Sequence, residues 1–94
     1  MADFEWDPAK AEANLRKHGV TFDFATGVFS DPHRIEQTDE ADYDGELREL
    51  IIGRAEEFVL YVVYTMRHEK VRIISARRAT RREYLEYWNG PISL

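Results

Sequence analysis

The stretch from Arg72 to Trp88, RIISARRATRREYLEYW, sets Arg72, Arg77, Arg78, Arg81 and Arg82 ahead of Tyr84, Leu85, Tyr87 and Trp88. Guanidinium groups stay charged and grip phosphate oxygens two at a time, so such a knot suits phosphate binding or a phosphorane-like transition state. Arg72, Arg77 and Arg78 are the candidates for that work. The competing reading pairs them with acidic residues or leaves them solvated. Proton transfer can be drawn from Lys10, Lys17, His18, Tyr64, His68, Glu83 and Tyr87, and each has a plainer role. His18 precedes Gly19, where an imidazole bonds the last carbonyls of a helix and favours its dipole. His68 decorates a turn. Glu83 falls three residues after Thr80, the spacing of a capping box, and beside arginines it stays ionised, fit to be a base and poor as an acid. Tyr64 and Tyr87 read as amphipathic core-edge residues whose rings, like that of Trp88, can also stack on unpaired bases.

Other chemistries fit poorly. His18, His33 and His68 are far apart and lack a zinc-site spacing, so no metal and no cofactor is expected. There is no Gly-rich phosphate loop, and Ser75 reads as an ordinary strand residue. No cysteine is present, which excludes disulfides and thiol chemistry.

The arginine knot is not a by-product of a basic chain. Thirteen Lys and Arg face 18 Asp and Glu, a formal net charge of −5. Residues 1–50 hold 5 basic and 13 acidic side chains, whereas residues 51–94 hold 8 basic and 5 acidic ones, so the charge is polarised. Any anion site must be focal, and DNA binding by this chain alone is disfavoured. Ninety-four residues, 44% hydrophobic, suit a single domain over 1–94. The N-terminus has no signal-peptide pattern and no run is long enough to span a membrane, so a cytoplasmic protein without membrane contact is expected.

The elements that must position these residues can be read from caps and periodicity. FEW can form a short strand, with Trp6 a core anchor. Asp7 and Pro8 open a helix that ends at Gly19. Thr21 caps a second, in which Phe22, Ala25, Thr26 and Phe29 share a face before Asp31 and Pro32 stop it. Strands follow over His33–Thr38, Leu47–Arg54, Phe58–Thr65 and Lys70–Ala79, with Thr38–Glu46 a loop and MRHEK a hairpin turn. Thr80 then starts a helix that ends by Gly90 and Pro91. The expected fold is α+β, with two N-terminal helices, an antiparallel four-stranded sheet and a C-terminal helix. Strict alternation in the last strand puts Arg72, Ile74, Ala76 and Arg78 on one face, and Val71, Ile73, Ser75 and Arg77 on the other.

FEWD, KHGV, the Phe and Ala helix after it, YT, and RIISARRAT follow one another in an order that resembles the BrnT family of type II toxins, from Phe4 to Trp88. The resemblance implies a RelE-like domain, a metal-independent ribonuclease that inhibits translation, and a BrnA-like antitoxin. That partner would carry a ribbon-helix-helix DNA-binding domain, form a hetero-oligomer with the toxin and supply any contact with DNA. The matching positions carried over as catalytic candidates are Lys10, Lys17, His18, Arg72, Arg77 and Glu83. Arg54, Arg67, Lys70, Arg78, Arg81, Arg82 and Tyr87 are expected to bind RNA. HRIEQTDEADYDGELREL matches least. The alternative is a non-catalytic partner-binding module or degenerate toxin in which the same arginines dock an acidic segment.

Overall fold

The computed structural model describes residues 3–43 and 46–90, apart from the side chains of 40–43. Its elements are β1 (Phe4–Glu5), α1 (Pro8–His18), α2 (Phe22–Ala25), a 3-10 turn (Thr26–Ser30), β2 (Ile35–Tyr43), β3 (Glu46–Ala55), β4 (Phe58–Arg67), β5 (Lys70–Arg78) and α3 (Arg81–Asn89). The α+β class is as expected. The sheet is not: it has five strands in the order β1-β5-β4-β3-β2, and β1 lies parallel to β5.

Local chemistry explains the helix limits. Asp7 Oδ1 accepts from the Ala9 N–H at 2.8 Å, and Gly19, at φ 72°, closes α1 in the left-handed region. Thr21 caps α2 through the Phe24 N–H. That helix is shorter than expected because a 3-10 turn takes over at Thr26. Downstream, the acidic segment expected to be a loop is strand as far as Tyr43, since pairing of Ile35–Asp39 with β3 outweighs its weak strand propensity. Asp44 and Gly45 of that segment lie outside the described residues.

α1, α2 and the 3-10 turn cover one face of the sheet, where Phe22, Val28, Ile51, Leu60, Val62 and Ile73 are almost wholly buried. Trp6 joins this core through an edge-on contact with Phe22. The opposite face carries a smaller cluster of Ile52, Val59 and Tyr87, brought by α3. Beyond its short pairing with β1, the outer edge of β5 is met by a side chain. Asn14 of α1 accepts from the Ala76 N–H at 3.1 Å and donates to the Ala76 carbonyl at 2.8 Å, doing for that edge what another strand would do. Among the described residues no helix is long and apolar enough to cross a membrane.

Candidate phosphate-binding site

The hairpin between β4 and β5 turns at His68 and Glu69, both at positive φ. Counting from that turn would pair Tyr61 with Ala76. Instead Ile74 is extra: Tyr64 pairs with Ile73 but Val63 pairs with Ser75, so Tyr61 lies opposite Arg77. This β-bulge corrects the alternation expected of β5. Arg72, Ser75 and Arg77 share the face that α3 partly covers, while Val71, Ile73, Ala76 and Arg78 point toward α1 and α2. A strict period of two separated Arg72 from Arg77; the bulge reunites them.

Arg77 is held on three sides. Its guanidinium lies 4.0 Å from the Tyr61 ring centroid. Nη1 donates to Glu83 Oε1 at 2.8 Å and Nη2 to Oε2 at 3.0 Å, and Nη1 also donates to the Arg78 carbonyl at 3.2 Å. Glu83 is fixed in turn by the capping box: Oε1 accepts from the Thr80 N–H at 2.9 Å and the Glu83 N–H donates to Thr80 Oγ1. The expected cap and the expected site residue are therefore one side chain. The carboxylate meets Arg77 end-on, across Nη1 and Nη2. Guanidinium geometry then leaves Nε–H and the second Nη2–H side by side, a fork matched to two oxygens of a phosphate.

Electrostatics hold this pair ionised. The Glu83 hydrogen bonds raise the Arg77 pKa against the effect of burial. Burial alone would raise that of Glu83, but the bonds from Arg77 and Thr80 and the Arg77 charge together set it below the usual carboxylate value. Burial also raises the Tyr61 pKa, so the phenol beneath the guanidinium is neutral at physiological pH.

The other candidates are spread more widely. Arg72 is on the Arg77 face and donates from Nη1 to Glu5 at 2.8 Å. Arg81 and Arg82 are exposed in the first turn of α3. Arg54 is exposed over the Trp88 ring, 5.8 Å from its centroid. Arg78 stacks on Phe58 at 4.6 Å and, with Gly19, Thr21 and Phe24, lines a cleft of about 280 Å³ on the α1 and α2 face. Lys10 and Lys17 are exposed on α1 and His18 is half-buried at its end, so all three belong to an element on the face opposite Arg77. Arg67 and Lys70 sit at the hairpin end, roughly 20 Å along the strand from Arg77 at ~3.3 Å per residue. Arg67 has spent its Nε and Nη2 fork on Glu46.

Tyr87, an expected RNA-binding residue, lies inward. It is 8% exposed, and its hydroxyl donates to Asp31 Oδ2 at 2.6 Å. Asp31 also accepts from the His33 and Arg54 N–H groups, so it ties the end of the 3-10 turn to β3 and α3. Burial would raise the Asp31 pKa, but these bonds and the His33 charge together lower it; burial and the Asp31 bond push Tyr87 up to about 12.

Sequence reasoning missed Tyr61, Asn14 and the role of Asp31. Asn14 alone left a local trace, a poor helix former amid alanines. Comparison with known proteins adds one finding: the family model for the ribonuclease toxin BrnT, of the type II toxin-antitoxin system, matches residues 6–83. Among curated proteins none matches.

Proposed function

Because the chain belongs to the BrnT family of type II toxin-antitoxin ribonuclease toxins, we propose that it cleaves RNA at Arg77 without a metal ion, and thereby inhibits translation. The observation that carries this reading is Arg77 itself, 32% exposed, fixed end-on by Glu83 and backed by Tyr61, so that its side-on fork is left for a ligand. A scissile phosphate seated there receives two charge-assisted hydrogen bonds, which strengthen as charge builds on its oxygens. The ionised Glu83 takes the proton of the 2′-hydroxyl, the O2′–P bond forms, and the P–O5′ bond breaks. The leaving 5′-oxygen takes a proton from solvent. Arg72, on the same face, steadies a neighbouring phosphate. Lys10, Lys17, His18 and Arg78 serve RNA that continues over the other face, and Arg54, Arg81 and Arg82 serve RNA along α3.

A ribbon-helix-helix antitoxin of the BrnA type would neutralise the protein in a hetero-oligomer by covering this face, in the cytoplasm where its RNA targets are. The test is cleavage of a labelled single-stranded RNA in EDTA. Wild type is expected to cut it, and folded Arg77→Ala to cut at least about tenfold more slowly, the effect of losing a charge-assisted contact of ~1.5–3 kcal/mol. Cleavage only after a divalent metal is restored would defeat the metal-independent mechanism.

A further inference from the structure

Arg81, Tyr84, Leu85 and Trp88 recur at i, i+3, i+4 and i+7, so they share one face of α3. Tyr87 borders this arc on its buried flank, its ring against Trp88 at 5.1 Å, and Glu83 and Glu86 fall on the opposite side of the helix. What remains is an outward face with Tyr84 47%, Leu85 42% and Trp88 51% exposed. The rings of Tyr84 and Trp88 lie edge to face at 6.2 Å, and the guanidinium of Arg54 covers one side of the indole. This is a surface of flat apolar rings flanked by Arg54 and Arg81, on the same helix that supplies Glu83 to Arg77.

We propose that the outer face of α3 is a stacking platform for the bases of single-stranded RNA next to the scissile phosphate, an inference that rests on the ribonuclease reading. Two features select this occupant. The face is cationic and has no carboxylate on its arc, so it complements a polyanion. Its contact surface is aromatic, and unpaired bases offer anionic backbone and flat apolar faces at regular intervals. Trp88 is steadied by Arg54, Tyr84 and Tyr87, and its exposed ring surface is what a base would meet. Tyr84 and Trp88 thus act as binding and length-determining residues, while Arg77 and Glu83 meet the reacting atoms.

The experiment uses a 2′-O-methyl RNA octamer, which cannot be cleaved, and follows Trp88 fluorescence in a Trp6→Phe background. Stacking is expected to quench the emission. Trp88→Leu and Tyr84→Leu keep apolar area but remove the ring, and each should weaken octamer binding about tenfold or more. Cleavage of a dinucleotide that spans Arg77 and Glu83 but is too short to reach Tyr84 and Trp88 should not respond to either substitution. Octamer binding without quenching, or with unchanged affinity in Trp88→Leu, would overturn the platform whether or not RNA is cut. So would a dimer in sedimentation that Trp88→Leu preserves and the octamer does not disrupt, which would assign the face to a second copy of this chain. Quenched binding with no cleavage of any RNA would support the platform and remove the ribonuclease reading instead.

Discussion

Arg77 retains its fork because its acidic partner arrives end-on, whereas Arg67 has given the equivalent edge to Glu46. Two arginines with similar carboxylate partners are therefore chemically unequal. The pH dependence follows from the lowered Glu83 pKa. Its ordinary value is 4.5, so the carboxylate is ionised from about pH 5 upward, and the Arg77 pair is lost only as pH falls through the lower folded value. The cleavage rate should show no acid limb from Glu83 between about pH 5 and 8, and Glu83→Gln should lower it about tenfold across that range. A limb near pH 6 that Glu83→Gln abolishes would assign Glu83 a raised pKa and a different environment. At this scale the sequence disclosed the arginine knot and the Thr80 to Glu83 spacing. It did not disclose Tyr61, since the register that brings it under Arg77 depends on one extra residue, Ile74, with no local signal.

Besides the packing of Tyr87 on Ile52 and Val59 and the Arg54–Trp88 contact, α3, the element that carries Glu83, is tied by the Thr80 cap, the Arg77 pair and the Tyr87 hydroxyl on Asp31. Tyr87→Phe leaves that buried carboxylate short of a donor and should destabilise the protein by about 1.5–3 kcal/mol, read by urea unfolding. Because folding raises the Tyr87 pKa to about 12, this stability is present below pH 10 and fades as pH rises through 12, a loss that Tyr87→Phe should abolish. An equal stability of wild type and Tyr87→Phe at pH 8 would remove the Asp31 bond as an anchor. The β4–β5 turn offers the opposite test. His68 and Glu69 sit at φ 52° and 67°, so replacing them with Asn and Gly should stabilise the hairpin by about 1 kcal/mol and raise Tm by a few degrees. Helix limits were legible because Asp7, Gly19, Thr21 and Thr80 act on their own neighbours. The two-residue β1 was not legible as a sheet member, since its partner β5 lies more than sixty residues away. The extension of β2 was hidden because its strand state comes from pairing with β3.

Across the whole molecule an acidic N-terminal half accompanies a sheet end and a helix rich in arginine, on a chain of net charge −5. Binding at such a focal site should be salt-sensitive in proportion to the few phosphates engaged. Contacts from Arg54, Arg77 and Arg81 predict a slope of about −2 in log affinity against log salt, at ~0.7 per phosphate on a single strand. A slope near zero would show that RNA is not held by these groups. The single most direct measurement is single-turnover cleavage of one labelled RNA by wild type and by folded Arg77→Lys, in EDTA. Lysine keeps the charge but not the fork, so the variant should be at least about tenfold slower. Cleavage by Arg77→Lys at the wild-type rate would contradict a phosphate held by that fork.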